Sequence, residues 1–508
     1  MIATTEAPTV AFSTLGCKVN YGEAEALGRQ FLARGYRVVP FEEHADVYVV
    51  NTCTVTHVAD RTSRGEIRAA ARRNPAALVA ATGCYVSVAN HGLEDVLPGN
   101  VLIVTNQEKD HLVDRVERAR ATRASCTALA LETDLTERDG PGLPDGARDG
   151  PDLKKSWQGP DLKRSLVSLS SVDTSGSVPC HGPSGPGAVS PLRAAATPAA
   201  LGRTRANLKA QDGCNAGCAF CIIPRARGGP RSVPLAEAVE AARRLEEWGY
   251  RELVISGVLL GSYGRDLPDR PRLRDLLAAI LTGTRDVRVR LSSVEPQDVG
   301  RALFELWRDP RLCRHLHLPL QSGSTTILRA MRRTYDAEWY GELVRHAVAD
   351  IPGVAVTIDM MVGFPGEDDA LFEESYRFAE GLPLAGMHVF PYSPRRGTAA
   401  AKFPRQVSEQ DKSRRAARMR ALAAEQALRF RRAHLGATLP VLWEAGGSEF
   451  RSGLTDNYLR VYSRAGGLAP NTITPMRLVD MRGDGLLGVA CYTPGRSLVE
   501  VEAEGVSP

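Results

Sequence analysis

No stretch of this chain stays apolar for the ~18 residues that a membrane-spanning helix needs. Its first residues, Met1 to Val10, carry neither the basic start nor the apolar core of a secretion signal. The protein is therefore expected in the cytoplasm, with no membrane partner. Cysteine is also scarce, ten in 508 residues, which is far below the density of a disulfide scaffold, and a reducing compartment disfavours disulfides further. Cysteines that cluster in such a chain read as metal ligands or catalytic thiols. A strong net charge is missing too, and +5 alone does not mark a nucleic-acid binder. Its placement says more. Between Lys402 and Gly436 ten Lys or Arg stand against three acidic residues, a local charge of +7 that leaves the rest of the chain at −2.

With 43% hydrophobic and 24% charged residues the chain has the balance of a soluble globular protein, and its length calls for two or three domains. Residues 8–121 read as a small α/β domain. Thr9–Leu15, Asp46–Val50 and Ala77–Thr82 look like buried strands, with amphipathic helices at 22–34 and 57–73 between them, so a parallel sheet is expected. Asn20 with Glu23 has the pattern of a capping box opening the first helix. From 122 to 202 the pattern dissolves into Pro, Gly, Ser and charge, with a tandem near-duplicate, GPDLKKSWQ then GPDLKRSLV, and is read as a disordered insert or linker.

Periodicity returns across 203–435. Strand candidates Thr204–Ala210, Glu252–Ser256, Val287–Ser292, His315–Leu320, Val354–Met360 and Gly386–Phe390 alternate with helices such as 235–247 and 369–380. Six βα units predict an open or complete parallel barrel, with its reactive centre at the carboxyl ends of the strands. One long basic helix or helix pair is expected at 406–434. Short β-rich runs across 436–505, among them Tyr458–Tyr462 and Thr472–Val479, predict a small antiparallel barrel.

Two cysteine constellations stand out of this frame. Cys214, Cys218 and Cys221 have the spacing CxxxCxxC just after a strand. Three thiolates on one loop can hold three corners of a [4Fe–4S] cubane and leave the fourth iron open to an outside ligand. S-adenosylmethionine can chelate that iron through its amino and carboxylate groups, so that one electron cleaves it to a 5′-deoxyadenosyl radical. Zinc is the alternative for such a loop, but a structural zinc wants a fourth ligand and none lies nearby in sequence. The flanking Gly213, Gly217, Gly228 and Gly229 are expected to let the backbone wrap the cluster. Cys17, Cys53 and Cys84 are far apart in sequence, yet each follows a predicted strand by one to three residues. If those strands are parallel, the thiols meet at one sheet edge and can hold a second cluster; three unrelated buried cysteines are the bland alternative. Cys126, Cys180, Cys313 and Cys491 are given no role.

The wording around these motifs resembles the methylthiotransferase family of radical S-adenosylmethionine enzymes over nearly the whole chain except 122–202. It is carried by TLGCKVN, NTCTVT, CIIPRARG, GSYGRDL, RLSSVEP, HLHLPLQSGS, DMMVGFPGE and HVFPYSPRRGT, and it looks most like the branch acting on N6-threonylcarbamoyladenosine in tRNA. The resemblance implies an N-terminal α/β domain, a partial (βα)6 barrel and a C-terminal β-barrel of the TRAM type. It implies two [4Fe–4S] clusters, on Cys17, Cys53 and Cys84 and on Cys214, Cys218 and Cys221, and S-adenosylmethionine near Gly257, Ser293 and Glu295. The reaction implied is methylthiolation of C2 of the adenine at position 37 of the anticodon loop. The sister reactions on isopentenyladenosine in tRNA and on an aspartate of a ribosomal protein are the alternatives. A sulfur donor and an electron donor such as a flavodoxin-type reductant are implied as partners. Leu259 departs from the family wording, where a polar residue is usual. In the basic segment Arg414, Arg415, Arg418, Arg429, Arg431 and Arg432 are the expected tRNA phosphate contacts.

Overall fold

A computed structural model describes residues 7–89, 93, 97–123, 204–447 and 449–491. The chain divides into two compact units, Met1–Ala119 with Pro191–Pro508, and Arg120–Ser190. Of the second only 120–123 are described, and they are helical. The insert expected at 122–202 lies outside the described residues apart from its first two, and Cys126 and Cys180 lie outside them as well. No helix among the described residues is long and apolar enough to cross a membrane.

The first unit opens with a five-stranded sheet of β1 (Thr9–Thr14), β2 (Arg37–Val39), β3 (Val47–Thr52), β4 (Leu78–Gly83) and β5 (Val101–Ile103), all parallel and ordered β2-β1-β3-β4-β5. Every residue of β3 and β4 is buried. That is what a parallel sheet covered on both faces demands, and it explains apolar runs without alternation. Leu27 and Phe31 of the Lys18–Ala33 helix pack on one face with Val10, Val47 and Val49. Ile67, Ala70 and Ala71 of the His57–Arg73 helix cover the other. The second helix has the expected ends because Thr56 caps it, its Oγ1 accepting the Ala59 N–H at 3.1 Å.

The capping box expected at Asn20 and Glu23 is not there. The helix begins at Lys18 with Cys17 as its N-cap and no side-chain cap bond. Asn20 and Glu23 lie inside the helix and are buried, because both are drawn to partners far away in sequence.

The second part is an arc of six parallel strands. β6 (Ala206–Lys209) pairs with β9 (Glu252–Ser256), which pairs with β10 (Arg288–Leu291); between β6 and β9 lies a small hairpin of β7 (Gln211–Asp212) and β8 (Arg231–Ser232). β11 (His315–His317), β12 (Ala355–Val362) and β13 (Gly386–Pro391) form the other half, and single bridges at Val289–Leu312 and Ser293–His317 join the halves. β6 and β13 end the arc without pairing to each other. The first domain spans that open side. Its Lys18–Ala33 helix lies on β6, where the Glu25 carboxylate accepts the backbone and side-chain N–H groups of Asn207. Beyond β13, Arg395 reaches back to Thr54 Oγ1 at 2.7 Å and Asp60 at 2.6 Å.

The basic segment is one helix, Glu409–Arg432, capped by Ser408. It buries Ala416, Met419 and Leu422 in the main core. After it, β14 (Thr438–Trp443), β15 (Phe450–Thr455), β16 (Arg460–Arg464), β17 (Ile473–Arg482) and β18 (Gly485–Ala490) close into a barrel in the order β14-β15-β16-β18-β17. Four of its five pairings are antiparallel as expected, but β16 and β18 run parallel. Tyr458, expected within a strand, sits instead in a left-handed turn at φ 67° ahead of β16.

The barrel is held under the arc by charge. Arg290 donates to the carbonyls of Asp456 at 2.8 Å and Thr455 at 3.0 Å, and Arg288 to that of Pro440 at 3.2 Å. Glu252 pairs with both guanidiniums at 2.7 Å.

Candidate metal centres

Cys17 caps the helix after β1, Cys53 directly follows β3, and Cys84 directly follows β4. Those three strands are neighbours running the same way, so the thiols emerge together at the carboxyl edge of the sheet. Their approach is close. A Cβ added to Gly16, which has φ 100°, would fall 2.9 Å from Cys53 Sγ, so glycine is what lets the β1 turn close over that thiol. Cys53 feels the charge of Cys84 and of Cys17, and Cys17 that of Cys84.

Cys214, Cys218 and Cys221 occupy the loop after β7, where the Cys214 N–H donates to Gly228 O at 2.9 Å. Gly213, at φ 71°, would place a Cβ 1.8 Å from Gly229 O, so the loop closes only with glycine there. Gly217 and Gly229 play no such part, since a Cβ at either meets nothing within 4 Å.

Two observations bear on what these trios can hold. Burial, the main influence on each, pushes the Cys53 thiol up to about 11 and the Cys221 thiol up to about 12. Metal binding at these positions must therefore release protons, which iron's charge can drive. Secondly, a mononuclear zinc with Zn–S bonds near 2.3 Å would hold its sulfurs about 3.8 Å apart. Among the described residues the one set of three potential ligand atoms within 4.8 Å of one another is His317, Asp359 and His388. Neither cysteine trio is drawn that tight.

The surroundings suit an anionic core. Arg227, 1% exposed, donates through Nε to Cys84 Sγ at 3.3 Å. Its other nitrogens reach Asn20 Oδ1 at 2.6 Å and both Glu23 and Asp212 at 2.8 Å. Glu23 is also paired with buried Lys109 at 2.6 Å and with Lys209 at 3.1 Å. Burial alone would raise the Glu23 carboxyl, but these three cations hold it well below the usual range. Three cations against Glu23 and Asp212 leave positive charge beside Cys84. A [4Fe–4S]²⁺ core on three thiolates sums to −1, so the residues present fit it. At the other trio Arg333 Nη1 lies 3.4 Å from Cys218 Sγ, and the same guanidinium pairs with Glu295.

Of the residues expected around S-adenosylmethionine, Glu295 thus stands beside the CxxxCxxC trio. Gly257 directly follows β9 and packs on Gln211, where a Cβ would come 3.0 Å from Oε1. Ser293 is exposed just beyond β10. Leu259 is buried, and its N–H donates to the same Gln211 oxygen at 2.8 Å.

The six arginines separate. Arg415 is turned inward, 4% exposed, against Glu367 at 3.0 Å and Asp369 at 2.9 Å, and this corrects its place among the phosphate contacts. Its helical position faces the core with Ala416 and Met419. Arg414 pairs with Asp369 and Asp411, and Arg418 with Glu373. Arg429 and Arg432 are exposed, and half-buried Arg431 bonds the Ala427 carbonyl at 3.2 Å.

Arg227, Arg333, His317, Asp359 and His388 carry no role in the sequence motifs, although all but Arg333 stand in motifs quoted above. The signal available was a charged or imidazole side chain inside an otherwise apolar strand or a cysteine loop.

Comparison with known proteins agrees with this geometry. The radical SAM superfamily matches residues 208–379, and the uncharacterized protein family UPF0004 matches residues 9–105. The chain is 35% identical over 460 residues to the threonylcarbamoyladenosine tRNA methylthiotransferase MtaB of Bacillus subtilis (strain 168), covering 89% of this chain and 90% of that one. It is 34% identical over 453 residues to the protein of that name from Aquifex aeolicus (strain VF5), covering 89% and 96%. The tRNA-2-methylthio-N(6)-dimethylallyladenosine synthase of Opitutus terrae is 32% identical over 414 residues, covering 80% and 81%. With two cysteine trios at strand ends, a six-stranded arc and relatives matched over nearly their full length, the chain belongs to the radical S-adenosylmethionine methylthiotransferases, on the threonylcarbamoyladenosine branch.

Proposed function

We propose that this protein methylthiolates C2 of N6-threonylcarbamoyladenosine at position 37 of tRNA, using S-adenosylmethionine and two [4Fe–4S] clusters. The observation that carries this reading is that the first domain spans the open side of the arc, so that one cysteine trio lies at its sheet edge and the other on the barrel loop, with Arg227 reaching between them. The bound clusters and S-adenosylmethionine supply the one-electron chemistry, the methyl group and the sulfur seat that replacing an aromatic hydrogen requires. The chain's own residues hold the parts. Cys17, Cys53 and Cys84 would ligate one cluster, and Cys214, Cys218 and Cys221 the other. Gly257, Ser293 and Glu295 would lie along the cofactor, with Arg333 fixing the Glu295 carboxylate.

The exposed Arg429 and Arg432, with Arg414 and Arg418, would meet phosphates of the anticodon arm. The work belongs in the cytoplasm, with a flavodoxin-type reductant and a separate sulfur donor. Anaerobic assay of purified tRNA bearing either threonylcarbamoyl- or isopentenyladenosine, read by nucleoside mass spectrometry, tests the assignment. Product from the first substrate alone is expected. Preference for the second would favour the sister reaction, to which the relative from Opitutus terrae points.

A further inference from the structure

Side chains alternate along β11 and β12, so that Leu316, Leu318, Ile358 and Met360 enter the outer core while His315, His317, Thr357 and Asp359 lie on the other, lumenal face. On that face His317 Nε2 lies 3.2 Å and His388 Nδ1 3.3 Å from one and the same oxygen, Asp359 Oδ1. The two rings are 5.3 Å apart. His317 is anchored from behind through Nδ1 to Thr357 Oγ1 at 2.9 Å, whereas the His388 side chain is 75% exposed. One layer down, His315 shares the Thr357 hydroxyl at 3.0 Å and stacks on Tyr458 at 4.5 Å, and its buried Nδ1 has no hydrogen-bond partner.

Such a trio of ligand atoms invites a divalent cation, but the layer around His315 and Tyr458 is cationic, and Lys18 acts from there on His388 through space. Lys18 Nζ sits 5.5 Å and Arg290 5.0 Å from the centre of the Tyr458 ring. Lys18 forms no ion pair among the described residues, and Arg290 shares the single carboxylate of Glu252 with Arg288. A wall with surplus positive charge repels a dication and attracts an anion. It is also an unusual wall, because a fixed carboxylate stands between the two imidazoles. Burial pushes Asp359 up, yet the two imidazoles hold it well below the usual carboxylate range, and Asp359 in turn raises His388. The site thus offers both a negative acceptor, Asp359 Oδ2, and a positive donor, His388.

Asp359 lies within electrostatic reach of Glu295, which stands beside the CxxxCxxC trio, so this two-signed surface is on the same side of the arc as the expected cofactor. We infer that His317, Asp359 and His388 form the recognition site for the acyl group on N6 of the substrate base. Asp359 accepts ureido N–H groups, while His388 holds the terminal carboxylate. This rests on the function proposed above. A threonylcarbamoyl group presents those N–H donors and that carboxylate together, whereas an isopentenyl group would give Asp359 and His388 no partner.

The test uses holoenzyme with both clusters and anticodon stem-loop RNA bearing threonylcarbamoyladenosine either as the free acid or as its methyl ester. Wild-type enzyme should have a KM for the ester roughly ten- to a hundredfold higher, the size of a lost charge-assisted bond. His388→Phe should raise KM for the acid by a similar factor and no longer distinguish acid from ester. Its exposure spares the core, and its iron content and RNA-independent cleavage of S-adenosylmethionine report that the protein is intact. Asp359→Asn should weaken both substrates. Unchanged acid–ester discrimination in His388→Phe overturns the inference, as does one equivalent of zinc or other non-cluster metal that is present in wild type and absent from that variant. If wild type methylthiolates only isopentenyl RNA, the proposed function itself has failed. If it acts equally on acid and ester, only this inference has.

Discussion

Replacing Glu252 by Gln takes one carboxylate from beneath two guanidiniums. Glu252 is 0% exposed and lies 2.7 Å from Arg288 and from Arg290, both of which grip carbonyls of the C-terminal barrel. Burial raises its pKa, but Arg290 first and then Arg288 pull it down to about 2 from an ordinary 4.5. At about 1.4 kcal/mol per unit that is about 3 kcal/mol in favour of the folded, ionised form. The value agrees with the roughly 3–5 kcal/mol lost when a buried pair is broken by removing one partner. Because the folded pKa lies below the unfolded one, the contribution is complete above about pH 4.5 and drains away as pH falls toward 2. Glu252→Gln should thus lower stability at pH 7 by about 3 kcal/mol, and the difference from wild type should shrink on acidification below pH 4.5. Urea unfolding measures the loss, and hydrogen exchange at the Leu454 to Asp456 backbone locates it at the junction with the barrel. A variant within about 1 kcal/mol of wild type at pH 7, or one with unaltered exchange there, would refute the claim that this carboxylate pins the two parts together.

Arg227→Met should destabilise the protein by about 3 kcal/mol, since Glu23 and Asp212 lose a buried partner; Glu23→Gln in that background should restore part of the loss in the same denaturation assay. Changing Cys214, Cys218 and Cys221 to Ala should halve the iron from about eight to about four per chain and abolish reductive cleavage of S-adenosylmethionine. The same change at Cys17, Cys53 and Cys84 should halve the iron but leave 5′-deoxyadenosine formation measurable. Arg429→Ser with Arg432→Ser should weaken tRNA binding and reduce its salt slope by roughly 1–2, read by binding at several salt concentrations. Arg415→Ser should instead lower the melting temperature and leave that slope unchanged.

Most of the architecture was legible because the signals are local. The boundaries of Glu252–Ser256, of the 57–73 helix and of the 235–247 helix follow from apolar runs and helical periodicity that end at turns and caps. The six cysteines could be grouped because strand ends can be read and parallel strands share an edge. Failures came where a side chain answers to something distant. Asn20 and Glu23 have the spacing of a cap, but Asn20 bonds Thr52 and Arg227, and Glu23 gathers three cations that lie 86 to 204 residues away. Arg415 belongs to a basic run by sequence and to the core by helical phase. The parallel β16–β18 pair has no signature in either strand, because pairing direction depends on closure of the whole barrel.

Arg227 brings these points together. It lies six residues after Cys221, in the loop of one trio, yet its Nε points at a sulfur of the other. Between them stand Asp212, two residues before Cys214, and Glu23, six after Cys17. Every member of this set except Lys209 is buried. A dry ionic network tolerates little rearrangement, since any member that lets go leaves a charge without water or partner. The spacing of the two cysteine trios is therefore fixed by the same bonds that join the first domain to the arc. An enzyme that must bring one base within reach of two redox centres gains from such a joint, because misplacement by about 1 Å can cost a reaction on the order of a hundredfold in rate.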